Sequence, residues 1–153
     1  NGMLAPNMPH TIYILINRIR DLSGQLLENS NSDSDSIRYI FSTVDPNEYG
    51  VMSGVVVDED STTTGSINIS IANVLNRTNT YQTRIPTAGS YRFNEIMPGR
   101  YTIYAYRDAN NNGRFDIGTV IPFIPAERAI VHPDTLPVRS SWESEGIDLR
   151  FRR

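Results

Sequence analysis

Short runs of alternating apolar and polar residues, bounded by Gly, Pro, Asn, Asp and Ser, recur from end to end of this sequence, and helical spacing of apolar residues is hard to find. Those two observations predict an all-β sandwich, built on about nine strand-like runs. A third observation adds an N-terminal hairpin-like unit. The run "TIYILINRI", Thr11 to Ile19, carries Ile12, Ile14 and Ile16 on one side and Tyr13, Leu15 and Ile19 on the other, so it reads as a strand buried on both faces.

The next stretch, "RDLSGQLLENSNSDSDS", has the composition of a turn followed by a Ser/Asp/Asn-rich loop, and "IRYIFSTV", Ile37 to Val44, reads as the returning strand. Two strands cannot bury two apolar faces by themselves. Residues 11–44 are therefore expected to lie against other strands, or to self-associate with another copy of the chain. "DPNEYG", Asp45 to Gly50, has the Pro, Asn and Gly of a linker and divides the chain into residues 1–48 and 49–153.

Beyond the linker the runs are "VMSGVVVD", "SINISIANV", "TYQTRIP", "SYRFNEI", "RYTIYAYRD", "ERAIVH" and "GIDLRF". Ile67, Ile69 and Ile71 alternate with Ser66, Asn68 and Ser70, which predicts one core face and one wet face. In "MPGRY", Pro98 and Gly99 predict a tight turn with Gly99 at positive φ. That turn would join Tyr91 and Phe93 to Tyr101, Ile103 and Ala105 on one face of an antiparallel pair.

Composition narrows the function classes. Hydrophobic residues are 39% and charged residues 20% of the 153, and no apolar run approaches the roughly 18 residues of a membrane-spanning helix. The net charge is −3, with three Arg against six acids in residues 1–48 and eleven against eleven in residues 49–153. No basic face points to nucleic acid. The absence of cysteine excludes disulfides, thiolate metal sites and a Cys nucleophile. A start at Asn1 reads as a processed form or a piece of a longer polypeptide.

"SGVVVD", Ser53 to Asp58, followed by "YRFNEIMPGRYTIYAYRD", Tyr91 to Asp108, resembles the transthyretin-like domain, also called the carboxypeptidase regulatory-like domain. The resemblance covers roughly residues 50–151. It implies a β-sandwich that is usually a non-catalytic accessory module. The Asp/Asn loop after Tyr106 and the long segment 117–146 depart from the family pattern and place extra structure at one end. Residues 9–44, through Pro9, Tyr13, Ile19, Asp21, Gly24, Leu27, Phe41 and Thr43, resemble the closing strands of a bacterial immunoglobulin-like domain of S-layer and secreted proteins. Together the two resemblances imply a fragment of a secreted or cell-surface bacterial protein, with neighbouring domains of a longer chain as its partners.

In "RDANNNGRFD", Asp108, Asn110 and Asn112 stand at alternate positions, Gly113 at the sharp turn and Asp116 at the ninth place, the spacing of a Ca²⁺ loop. Arg114 would add its backbone carbonyl. Thr119 stands where a bidentate Glu is usual, so Glu127 or a carbonyl would have to complete the site. The same residues also suit a turn in which side chains bond the backbone, and both readings stay open.

Tyr104 and Tyr106 should face away from Tyr101 and Ile103, either as an aromatic strip for a carbohydrate or protein ligand or buried under segment 117–146. Asp58, Glu59 and Asp60 read as a solvated tip. His10 and His132 are far apart, "HPD" at His132 reads as a turn, and there is no Gly-x-Ser-x-Gly elbow. Asn76-Arg77-Thr78 fits a glycosylation triplet. The reading is thus a non-catalytic structural or spacer module with Ca²⁺ as its one candidate cofactor. A binding module is the alternative and a hydrolase a distant third.

Overall fold

The computed structural model describes residues 4–26, 36–60, 62 and 64–152. Among them there is no α-helix, and eleven strands make an all-β protein. The chain divides into two compact units, Asn1–Pro46 and Asn47–Arg153. The Ser/Asp/Asn-rich loop expected between the first two strands falls almost wholly on residues 27–35, outside the described residues.

In the first unit β1 (Pro9–Leu15) pairs antiparallel with β2 (Ser36–Ser42). The chain leaves β1 in a short 3₁₀ turn, Ile16–Arg18, earlier than the run of apolar residues suggests. Asp21 then organises a tight turn by accepting the N–H groups of Ser23 and Gln25, with Gly24 at φ 81°. Register sorts the apolar residues unequally between the faces. His10 lies opposite Phe41, Ile12 opposite Tyr39 and Ile14 opposite Ile37, and these six share one face. The other face mixes Thr11, Tyr13 and Leu15 with Ile40, Arg38 and Ser36.

The expected burial on both sides is not found. Ile12 is 50% and Tyr39 66% exposed, while Tyr13 on the opposite face is 63% exposed. Ile16 alone of the run is buried. The reason is geometric, since a two-stranded ribbon supplies no second layer to cover either face.

In the second unit β3 (Gly50–Asp58) pairs antiparallel with β6 (Ser90–Ile96), and parallel with β10 (Glu143–Ser144) and β11 (Leu149–Phe151). The other sheet runs β5 (Thr80–Ile85), β4 (Ser66–Asn73), β7 (Gly99–Asp108), with β8 (Ala129–Val131) and β9 (Leu136–Val138) both on the far side of β7. Both sheets are open. They enclose one apolar core in which Met52, Val56, Tyr91, Phe93 and Ile96 meet Ile67, Ile69, Ile71, Tyr101 and Ile103, the arrangement of a β-sandwich.

The turn through Met97 and Pro98 is not the hairpin expected. β6 pairs with β3 and β7 with β4, so the chain arches from one sheet to the other. Positive φ occurs at Glu95, φ 55°, and not at Gly99. Gly99 is needed for a different reason: a Cβ there would lie 2.4 Å from the Asn73 amide nitrogen. An arch sets Tyr91, Phe93 and Ile96 across the core from Tyr101 and Ile103, where each set covers the other. A hairpin would have left both on one sheet still needing a cover.

Gly54 marks a close approach of the segment between β10 and β11 to β3, because a Cβ there would stand 1.9 Å from the Ile147 carbonyl oxygen. Tyr91 closes that edge by donating its hydroxyl to the same Ile147 carbonyl at 2.5 Å. Arg92 and Ser53 both bond the Glu143 carboxylate and so pin β10 against β3.

Candidate functional site

β7 continues the alternation of Tyr101, Ile103 and Ala105 inward to Arg107, and ends at Asp108. Asp108 is fully buried. A buried carboxylate has to be bonded, and its two oxygens accept the backbone N–H groups of Asn112 at 2.9 Å and Gly113 at 2.8 Å, with the Asn68 amide at 3.3 Å. Asn111 at φ 58° and Gly113 at φ 78° take the left-handed conformations that fold the chain back over Asp108.

Every predicted side-chain ligand lies in this one loop, and each is bonded within it. Asn110 accepts the Asn112 N–H at 3.0 Å, and Asn112 accepts the Arg114 N–H at 2.8 Å. Both amide groups donate to one oxygen of Asp116, at 2.7 and 3.0 Å. Glu127, the candidate for completing a metal shell, instead accepts the N–H groups of Ala109 at 2.8 Å and Asp116 at 3.1 Å. Its own N–H returns to the Asp116 carbonyl at 2.9 Å, so Glu127 closes the base of the loop.

The donor set fits Ca²⁺ only in part. Hard oxygen ligands are present in Asp108, Asn110, Asn112 and Asp116, but Ca²⁺ takes about six to eight, and the two amides turn nitrogen toward Asp116. No group of three or more His, Cys, Asp and Glu is arranged for a metal among the described residues.

Tyr104 and Tyr106 occupy the outer face of the second sheet, with Ser70 and Val131 flanking Tyr104 and Asn68 and Ala129 flanking Tyr106. Their ring centroids are 5.9 Å apart and tilted by 33°. Phe115 stands nearly perpendicular to both, at 6.2 and 5.8 Å. The tyrosines are consequently half-buried, and the ring against them comes from the Asp/Asn loop, not from segment 117–146. Burial raises both phenol pKa values. The charge of Glu127 adds to this in both, and the neighbouring Tyr106 and Asp108 add to it for Tyr104 and Tyr106 respectively. Neither hydroxyl has a hydrogen-bond partner among the described residues. Phe115 is the residue a sequence reading misses, because a loop aromatic has no periodic neighbours.

Asp58 corrects the solvated-tip expectation. It extends the inward face of Met52, Gly54 and Val56, and its side chain is 4% exposed. Arg107 donates to one oxygen at 2.5 Å and Arg128 to the other at 2.7 Å, with the Asp60 N–H at 3.0 Å. Arg107 also reaches the Gly65 carbonyl, and Arg128 reaches the Arg152 carbonyl while lying 5.6 Å over the Phe151 ring. Burial pushes the Asp58 pKa up, but the hydrogen bonds from Asp60, Arg128 and Arg107 outweigh it and hold the carboxyl below its ordinary value. A signal for this pair existed in the alternation, since Arg107 falls on a core face and a charge there needs a partner.

The histidines are held locally. The Asp134 N–H meets the His132 Nδ1 at 3.1 Å within the turn. His10 stacks on Phe41 at 5.6 Å, with the Thr43 hydroxyl 3.4 Å from its Nε2. Asn76 spends its side-chain oxygen on the Thr78 hydroxyl and N–H, in a turn.

No family model matches this chain, and no curated protein matches it. A leucine-rich repeat protein from Bacteroides thetaiotaomicron has a solved structure that aligns with 87% of this chain at 10% identity and a TM-score of 0.39. The chain spans 18% of the length of that protein.

Proposed function

We propose that this chain is a non-catalytic structural or spacer module of a secreted or cell-surface bacterial protein with further domains. The observation that carries this reading is the mostly apolar face of β1 and β2, formed by Ile12, Ile14, Ile37, Tyr39 and Phe41 with His10 at its end. Such a face gains stability only when another layer covers it. In this reading residues 1–48 are closing strands of an immunoglobulin-like domain, and residues 49–153 form a transthyretin-like sandwich. The Asp/Asn loop stiffens one end, with Asp108, Asn110, Asn112, Asp116 and the Arg114 carbonyl as the groups that would hold Ca²⁺.

Hydrogen exchange tests the reading directly. In the 153-residue chain the amides of β1 and β2 are expected to exchange fast while those of β4 and β7 are protected. Joined to its neighbouring domains, the chain should show β1 and β2 protected as well. Slow exchange at Ile12–Leu15 in the monomeric 153-residue chain would sink the proposal, because those strands would then need no neighbour.

A further inference from the structure

The outer face of the β5–β4–β7–β8 sheet mixes aromatic rings with uncharged polar side chains. Register lines up Gln82, Ser70 and Tyr104 on one rung and Arg84, Asn68 and Tyr106 on the next, so each phenol ring stands beside hydrogen-bonding neighbours. Most of their bonding capacity is unspent. Neither tyrosine hydroxyl, nor the Gln82 side-chain amide, has a hydrogen-bond partner among the described residues. Asn68 uses one N–H, toward Asp108 at 3.3 Å, and Ser70 reaches only the Tyr104 carbonyl, at 3.4 Å. The Arg107 Nε is the one buried side-chain polar atom without a partner among the described residues, so the open groups on these rungs meet solvent. Arg84 carries the only charge on the two rungs, and it is bonded to the Ser66 hydroxyl at 2.7 Å and the Asn111 side chain at 2.8 Å, with Asp108 at 3.8 Å.

We propose that this face is a binding platform for a neutral oligosaccharide, with the Tyr104 and Tyr106 rings against sugar C–H groups and with Gln82, Ser70, Asn68 and the two phenols bonding sugar hydroxyls. Three features select this ligand over a protein. A protein partner that covered the rings would strand the open polar groups, at a cost in affinity, whereas a sugar carries a hydroxyl on nearly every carbon and meets them. Large aliphatic side chains, which the centre of a protein interface needs, are limited to Val131 at the margin of one rung. The charge on the rungs is already neutralised, so nothing there attracts an acidic or basic ligand. Phe115, 6.2 and 5.8 Å from the two tyrosine rings, holds them in place before a ligand arrives, which lowers the ordering cost of binding. The inference does not rest on the spacer reading, because the face belongs to the Asn47–Arg153 unit and β1 and β2 take no part in it.

The test is affinity electrophoresis of the full chain through gels that hold galactomannan, xyloglucan, arabinoxylan or mixed-linkage β-glucan, with polygalacturonate as the charged control. Wild type should be retarded in at least one neutral gel. The double substitution Tyr104→Phe, Tyr106→Phe keeps both rings and removes hydroxyls that bond nothing in the fold, so the thermal midpoint should be unchanged while affinity falls about tenfold. Gln82→Ala, at an exposed position, should weaken binding about threefold. Retardation that the double variant keeps in full would put the sugar elsewhere on the chain and overturn the proposal. No retardation in any neutral gel, or retardation in polygalacturonate alone, would overturn it too. Self-association of the wild type without polysaccharide, lost in the double variant, would give the face to a second copy of the chain instead.

Discussion

Asp58→Asn is expected to destabilise the Asn47–Arg153 unit by about 3–5 kcal/mol at neutral pH, the usual cost of removing one member of a buried ion pair. The cost arises less from the lost attraction than from what remains. Arg107 is 5% exposed, and its charge would face a neutral amide in a site where water cannot replace the carboxylate. Arg128 is 26% exposed and can turn partly to solvent, so Arg107 dominates the effect.

The same carboxylate makes stability depend on pH. Its pKa is lower in the folded chain than in the unfolded one, so its contribution is fully present above the unfolded value of about 4 and is lost as pH falls through the folded value. Denaturant unfolding of both proteins at pH 7 and in acid would therefore show the gap between wild type and Asp58→Asn narrowing on acidification. A neutral-pH difference below about 1 kcal/mol, the size of an exposed pair, would mean that the triad is solvated.

Asp108→Ala is expected to cost about 1–3 kcal/mol even in chelator, because it strands the N–H group of Gly113 beneath the loop and leaves that of Asn112 with the Asn110 side chain alone. Loosening should spread to Phe115, whose ring lies against Tyr104 and Tyr106. Near-ultraviolet circular dichroism should then lose aromatic signal while the strand signal persists. Thermal melts in millimolar Ca²⁺ and in chelator separate the two readings of the loop. A ligand that binds only the folded chain raises its midpoint, so a Ca²⁺-dependent rise in wild type that Asp108→Ala lacks makes the loop a metal site. No shift in either protein leaves Asp108 as the capping residue of a turn.

The alternation of Ile67, Ile69 and Ile71 with polar residues makes β4 legible from the sequence, and each of the nine strand-like runs carries a strand. β9 and β10 are not legible, because β10 is only two residues long and β9 has Pro137 at its centre, which argues against a strand. The shared loop of Asp108, Asn110, Asn112 and Asp116 can be read because its members are neighbours in the chain. The roles of Glu127 and Phe115 cannot, because Glu127 meets the loop, and Phe115 within the loop meets Tyr104 and Tyr106, through contacts with no sequence period.

The sequence by itself determined that this is a β protein and which side chains along each strand share a face. Those are properties of φ, ψ preference and a two-residue period, both local. Only the tertiary structure decided that the chain arches between sheets at Met97 and Pro98, that the β1–β2 register gathers apolar side chains on one face, and that Asp58 is buried between two arginines. Each of these depends on which strand lies beside which, and that is settled by mutual coverage of apolar faces and pairing of buried charges across the whole unit.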